Sequence, residues 1–188
     1  MALHEAASAG DYGAVQRLLR RRTNLNARDV DSRIPLHLAT QAGHVKVVKL
    51  LNEEGVDPDP KDDTDTTPLS WAAQKGYKEI TKLFLNKSGI DINSKDNTDI
   101  TPLFWAAQNG HKDVVELFLH ADGIDLNSRN KHGGTPLSFA AENGHIEVVE
   151  LLIIKECVDP DSKDNTDTTP LSWAARNGHK DVVEVLLQ

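Results

Sequence analysis

The sequence predicts an all-α array of about six stacked helix-turn-helix units, and three observations predict it. Near-copies of one stretch recur along the 188 residues: TPLSWAAQKGY at 67–77, TPLFWAAQNGH at 101–111, TPLSFAAENGH at 135–145 and TPLSWAARNGH at 169–179. A looser copy, IPLHLATQAGH, lies at 34–44, and a shorter one, ALHEAASAGD, at 2–11. The spacing is fixed: Pro35 to Pro68 is 33 residues, and Pro68, Pro102, Pro136 and Pro170 follow at steps of 34. A constant period of this size marks repeat architecture. Finally, each copy precedes a short apolar block such as Val114-Val115-Glu116-Leu117-Phe118. A block this short cannot bury its own apolar face and needs neighbouring copies on both sides.

The elements follow in order within each unit. In the last one, Ser162-Lys163-Asp164-Asn165-Thr166-Asp167 is polar and turn-rich. Thr169 then offers a hydroxyl to the free amides of a helix start, and Pro170 occupies the first helical position, where a missing N–H costs nothing. Leu171, Ala174 and Ala175 share a face at helical spacing, the alanines small enough for a second helix to approach. Gly178 ends the helix in the left-handed conformation, and Val182, Val183, Val185, Leu186 and Leu187 form the apolar set of a second helix.

Hydrophobic residues make up 38%, and the formal net charge is −8 with a pI near 5.4. An acidic chain is a poor match for a phosphate backbone, so no nucleic-acid partner is expected, and a basic or polar protein surface fits better. Cys157 is the single cysteine, so no internal disulfide can form. A reducing compartment, the cytoplasm or the nucleus, is the expected location. No apolar run reaches membrane-spanning length and no signal-peptide pattern opens the chain, so no membrane partner is expected.

The TPL triplet, the paired alanines, the Gly-His turn and the Val-Val-x-Leu-Leu block resemble the ankyrin repeat along the whole chain. The resemblance implies an ankyrin-repeat solenoid of antiparallel helix pairs joined by outward β-hairpin-like loops. It implies one domain over 1–188, with units at approximately 1–28, 29–61, 62–95, 96–129, 130–163 and 164–188. The phrases SWAA and DPDSKD further resemble ankyrin arrays of filamentous fungal signalling and innate-immunity-like proteins. Two departures stand out. His37 completes the family's TPLH motif and His4 holds that place in the first unit, but Ser70, Phe104, Ser138 and Ser172 replace it later. At the hairpin tip the family expects glycine, and only Gly133 obeys; Ser32, Asp65, Asp99 and Asp167 stand there otherwise. Either one unit was duplicated with its costly residue, or these tips take a different turn.

The residues do not assemble into catalytic or metal-binding patterns. Cys157 lacks an electropositive neighbourhood, with Glu156 beside it. His44, His111, His145 and His179 share one repeat position and lie too far apart along a stack to hold one ion. Asp159, Asp161, Asp164 and Asp167 lack the ligand rhythm of a calcium loop, as do Asp57, Asp59, Asp62 and Asp65. No cofactor, no metal and no enzymatic activity are expected. The aromatic column of Trp71, Trp105, Phe139 and Trp173 reads first as packing and second as anchors for a partner.

The function the resemblance implies is protein–protein interaction through the groove and the hairpin tips. By repeat position the partner-facing residues are Val30, Asp31, Arg33, Gln41 and Ala42 in the second unit and Asp63, Thr64, Thr66, Trp71, Gln74 and Lys75 in the third. The fourth gives Asn97, Thr98, Ile100, Trp105, Gln108 and Asn109; the fifth Lys131, His132, Gly134, Glu142 and Asn143; the sixth Asn165, Thr166, Thr168, Trp173, Arg176 and Asn177. The last unit lacks a polar outer face, so the chain is expected to be part of a longer array or multidomain protein. Self-association through that end is one alternative function, and a small-molecule or catalytic groove is another.

Overall fold

The structure, a computed structural model, describes residues 2–188. The chain forms two compact units, Met1–Asp91 and Ile92–Gln188. Among the described residues every regular element is an α-helix.

In the first unit, α1 (Ala2–Ser8) pairs with α2 (Tyr12–Leu19), α3 (Pro35–Gln41) with α4 (Val45–Glu53), and α5 (Pro68–Lys75) with α6 (Lys78–Leu85). The first helices α1, α3 and α5 pack in a row, and α2, α4 and α6 pack in a second row behind them. The second unit repeats the plan: α7 (Pro102–Gln108) with α8 (Lys112–Leu119), α9 (Pro136–Glu142) with α10 (Ile146–Ile153), and α11 (Pro170–Arg176) with α12 (Lys180–Leu186). The chain's helix starts are those its sequence specifies. Thr67, Thr101, Thr135 and Thr169 sit at N-caps in extended conformation, and each side chain accepts from the amide three residues on.

Each core lies between the two rows. Leu36, Leu51, Leu69, Ile80 and Phe84 are fully buried in the first unit, and Leu103, Phe104, Val115, Phe118, Val149 and Leu152 in the second. Ala72, Ala73, Ala106, Ala107, Ala140 and Ala141 are also fully buried, which permits the close approach of neighbouring helices. In the last helix Val182 is buried, Val183, Val185 and Leu186 are half-buried, and Leu187 is 68% exposed.

The row of residues entering the second helices fastens one repeat to the one before. His44, His145 and His179 reach back to the carbonyls of Ser8, Gln108 and Glu142 at 2.9, 3.0 and 2.9 Å. Each ring lies flat over the preceding repeat's turn glycine: a Cβ on Gly10, Gly110 or Gly144 would meet its ring within 2.6 Å. His37 serves a second tie. Its Nδ1 accepts from the Ile34 amide at 3.1 Å, so the proton resides on Nε2, which donates to the Pro60 carbonyl at 3.1 Å. Burial holds this imidazole neutral by lowering its pKa. Where serine replaces it, as at Ser138, the hydroxyl bonds only its own cap residue, Thr135. The tie between repeats then passes to Thr135 Oγ1 with Ser162 Oγ at 3.4 Å, and in the repeat where Phe104 takes the place of the histidine to Thr101 Oγ1 with Ser128 Oγ at 3.1 Å.

A third set of ties runs through the loops after the second helices. Asn93 Oδ1 accepts from the Asp125 amide at 2.9 Å, and its Nδ2 donates to the Gly123 carbonyl at 2.8 Å. Asn127 Nδ2 donates likewise to the Cys157 carbonyl at 2.7 Å. Asp59 stands at the same repeat position. Its Oδ2 accepts from the Asp91 amide at 3.1 Å, but Oδ1 is buried without a partner where asparagine would have a donor. Burial, joined by the Asp91 and Asp57 carboxylates, raises this carboxyl above the usual range.

Replacing Asp59 by Asn supplies the missing donor. At neutral pH the variant is expected to be more stable by about 1 kcal/mol, a melting-point rise of about 2–4 °C. A raised carboxyl pKa means that the folded protein binds the proton more readily than the unfolded chain. The natural protein therefore gains stability as pH falls toward that value, and the advantage of Asp59→Asn shrinks in acid. Thermal melts across pH check both points, and an advantage growing in acid contradicts the assignment.

Candidate interaction surface

The tips between second and first helices carry the residues that vary most, and each tip is built on one side chain. In the third repeat Asp62 Oδ1 accepts from the Thr64 amide, the Thr64 hydroxyl and the Thr66 amide at 2.9, 2.7 and 3.0 Å. Asp96 does the same for Thr98 and Ile100, and Asp164 for Thr166 and Thr168. The second carboxylate oxygen faces the first helix. There it accepts the indole N–H of the tryptophan nine residues on: Trp71 at 3.2 Å, Trp105 at 3.2 Å and Trp173 at 3.0 Å. One carboxylate thus closes the tip and bolts it to the helix.

The tip turn itself is left-handed throughout. Ser32, Asp65, Asp99 and Asp167 have φ of 60, 59, 63 and 59°, beside 76° at Gly133. The alternative of a different turn at the aspartate tips is therefore overturned: they take the glycine conformation at a cost of about 1 kcal/mol each. A backbone bond links neighbouring tips within each unit, from Asp63 to Asp31 in the first, and from Lys131 to Thr98 and Asn165 to His132 in the second.

The fifth repeat changes as a set. Asn130 replaces the aspartate and accepts from the His132 and Gly134 amides, both at 3.0 Å. Its other polar group is an amide, a donor, which cannot receive an indole N–H, and the aromatic partner is accordingly Phe139. That ring packs on Phe104 with centroids 4.8 Å apart, and a Cβ on Gly134 would meet it at 2.5 Å. Arg129 bonds the Gly133 and Lys163 carbonyls, holding this tip to the next repeat. In the second repeat Leu38 leaves the carboxylate of Asp29 free of an indole, and Arg33 takes it instead, at 3.0 Å from both Nε and Nη2.

The residues singled out from sequence fall into three groups. Asp63, Asn97, Lys131, His132, Lys75 and Arg176 are exposed, as are Val30 at 96%, Ala42 and Asn165, whose Nδ2 donates to the Lys131 carbonyl at 3.1 Å. Others face outward but are partly committed. The hydroxyls of Thr64, Thr98 and Thr166 serve their own tips, and Asn109, Asn143 and Asn177 donate to the carbonyls of Trp105, Phe139 and Glu142. Gln41, Gln74, Gln108, Glu142, Asp31, Arg33 and Thr168 are half-buried. Thr66, Ile100 and Gly134 are buried, contrary to expectation, because the tip folds back over its first helix. The tryptophans are half-buried, with their polar atom turned to Asp62, Asp96 and Asp164, and the Arg176 guanidinium lies 4.9 Å from the Trp173 ring centre. Those three aspartates were missed as framework; their constant distance of nine residues from each tryptophan was the available signal.

A cleft of about 620 Å³ in the first unit is lined by His4, Glu5, Arg28, Asp29 and Val30. Its central polar groups already serve the fold: His4 Nε2 meets the Arg33 carbonyl at 3.2 Å, and Asp29 holds Arg33. Among the described residues no helix is long and apolar enough to cross a membrane.

The sequence profile "Ankyrin repeats (3 copies)" matches residues 3–96, 71–130 and 103–188, and the chain belongs to the ankyrin repeat family. A crystal structure of an ankyrin repeat domain from Acinetobacter baumannii is similar at 30% identity, covering 98% of this chain and 95% of that one, with a TM-score of 0.87. A second solved ankyrin repeat protein is similar at 27% identity and TM-score 0.91, over 100% of this chain and 96% of that one. No curated protein matches the sequence. Ankyrin repeats are in general protein-interaction modules.

The pairing of Asp96 with Trp105 is open to a double-mutant cycle. Asp96→Asn sets an amide donor against the indole N–H and is expected to cost about 1–3 kcal/mol, while Trp105→Phe costs about 1 kcal/mol for its lost hydrogen bond. The double variant recreates the Asn130 and Phe139 combination and should cost less than the sum by at least about 0.5 kcal/mol in denaturant melts. Additivity would refute the coupling.

The tips also set an acid limit. Burial raises the Asp164 carboxyl, but hydrogen bonds from Thr166, Thr168 and Trp173 outweigh it and hold the pKa at about 2. Asp62 is lowered in the same way, and Asp29 is lowered mainly through Arg33 against the effect of burial. A depressed carboxyl contributes stability that is present above its ordinary value of 3.8 and is lost as pH falls through about 2. Acid titration followed by tryptophan fluorescence should show this loss, and Asp164→Asn should flatten it.

Proposed function

We propose that the chain is a non-catalytic protein-interaction module that presents the tips of its second to sixth repeats and the adjoining ends of the first helices to a protein partner. The observation that carries this reading is the contrast within each repeat between a saturated framework and a free rim. Asp62, Asp96 and Asp164 fix each tip through several bonds, whereas Asp63, Asn97, Lys131 and His132 differ from repeat to repeat and are exposed. A rim held this firmly loses little conformational freedom on binding, which favours affinity.

Charge narrows the class of partner. Met1–Asp91 contains 13 acidic and 13 basic residues, while Ile92–Gln188 contains 16 acidic and 8 basic, so the whole net charge lies in the second unit. That unit suits a partner with a basic or polar surface, with an on-rate that falls as salt rises. Lys131 and His132 form a local basic point on its rim, where an acidic or carbonyl-rich feature of the partner would seat.

The test replaces Lys131 by Asn and His132 by Thr, the residues of the flanking repeats, after a partner has been identified with the natural chain and its affinity measured. Loss of about tenfold in affinity or more, with an unchanged melting point, is the expected outcome. Undiminished affinity removes the fifth tip from the surface. A partner that still binds when every exposed tip residue is exchanged overturns the reading as a whole.

A further inference from the structure

In the row of second helices one residue breaks the pattern of its repeat position. Nine residues after the N-cap of the second helix stand Arg20, Glu53, Asn86 and His120 in the first four repeats, all polar, but Ile154 in the fifth. Ile154 lies at the C-cap of α10 and is 70% exposed. The fold does not need it there, because α10 packs through the buried Val148, Val149 and Leu152. Glu147 and Glu150 share its face, at steps of three and four residues, and both are exposed. Among the described residues neither carboxylate is taken up in an ion pair. An aliphatic side chain left in water beside two carboxylates is a surface with its own chemistry.

The first unit carries the complement. Between α2 and α4 runs a groove of about 450 Å³ lined by Tyr12, Lys46, Lys49, Leu50 and Glu53. The Tyr12 ring and Leu50 give it an apolar wall, and Gln16 Nε2 donates to the Tyr12 hydroxyl at 3.2 Å, which holds the ring against α2. Lys46 and Lys49 stand at the rim, both exposed. They hold the second and fifth positions of α4, the same positions that Glu147 and Glu150 hold in α10. The two pairs therefore have equal spacing and opposite sign. Helix physics does not account for Lys46, since a cation in the first turn opposes the helix dipole.

We propose that this groove receives the end of α10 from a second copy of the chain. Ile154 of one copy enters beside Tyr12 and Leu50 of the other, and its Glu147 and Glu150 meet Lys46 and Lys49. A second copy is the occupant because one chain holds both halves, matched in spacing and in charge. An apolar anchor seated in a pocket and ringed by paired charges is the usual anatomy of a protein interface. Groove and anchor lie in different units, so the contact is head-to-tail. It goes beyond the interaction function of the tips, since it is built on the second helices and uses none of the tip residues.

The test is sedimentation equilibrium of the intact chain at low salt, at concentrations up to about 1 mM. The mean mass of the natural chain is expected to rise with concentration, and the rise to weaken as salt screens the ion pairs. Ile154→Ala should weaken association on the order of tenfold with an unchanged melting point, because the side chain is exposed in the single chain. Lys46→Glu with Lys49→Glu should remove association, as should Glu147→Lys with Glu150→Lys. The chain carrying all four exchanges keeps the natural net charge and should associate again. Exchanging Lys131 and His132 for Asn and Thr should leave self-association intact; a loss there places the contact at the tips and overturns the proposal. A chain that stays monomeric at every concentration overturns it too and leaves the groove to another partner. Association undiminished in Ile154→Ala, or not restored by the four exchanges together, does the same.

Discussion

Every tip in this chain rests on a single polar side chain at its base, and what that side chain offers on its second polar atom decides what can stand on the helix beneath. An aspartate has two acceptors. Oδ1 closes the turn over amides at Thr64 and Thr66, or their equivalents, and Oδ2 remains to receive one N–H from the helix side. Left unpaired where the aspartate is buried, as at Asp62 and Asp96, or half-buried, as at Asp164 and Asp29, that oxygen would carry a desolvation penalty, so the repeat must supply a donor. Tryptophan supplies it in three repeats and arginine in a fourth. The same constraint makes the tip rigid, because the loop cannot swing outward without breaking its bond to the helix.

The fifth repeat shows how far one substitution propagates. With Asn130 the second atom becomes a donor, tryptophan loses its partner, and phenylalanine is the aromatic that keeps the packing without the N–H. Phe139 leans on Phe104 and toward the tip, and the space it takes leaves none for a side chain at Gly134. Gly133 is crowded from the other side, where a Cβ would meet Asn165 Oδ1 at 2.4 Å. Four residues that look like independent departures in the sequence are one adjustment. The exposed pair Lys131 and His132 rides on that adjusted loop, and Arg129 secures it to the following repeat in the absence of the indole bond.

The repeat period, the helix starts and the turn glycines were legible because each depends on local chemistry: a hydroxyl three residues before an amide, a proline at the first helical position, a residue that tolerates positive φ. The paired alanines were legible because small side chains repeat where helices touch. What sequence reading missed depends on contacts between residues nine or more apart. Asp62 and Asp164 looked like members of acidic runs and Asp96 drew no reading at all, and the acceptor geometry of all three appears only when the tip folds back over the helix. Burial of Thr66 and Ile100 has the same origin. Their positions in the text suggested a rim, while the back-folded loop turns them inward.

A framework that satisfies nearly all its own polar groups also sets where specificity can be stored. Carbonyls at Ser8, Gln108 and Glu142 are taken by histidines, the tip hydroxyls by aspartates, and the helix-end asparagines by carbonyls. A partner approaching such a surface would find few unmet donors or acceptors in the frame. Most of what distinguishes one repeat from the next to that partner lies in the outermost side chains, and these can be exchanged without disturbing the bonds below. This separation explains how Lys131 and His132 can stand between Asn97 and Asn165 on the same rim. It also explains why a change at Asp96 or Trp105 would reach a partner only indirectly, by loosening the loop that presents Asn97 and Thr98.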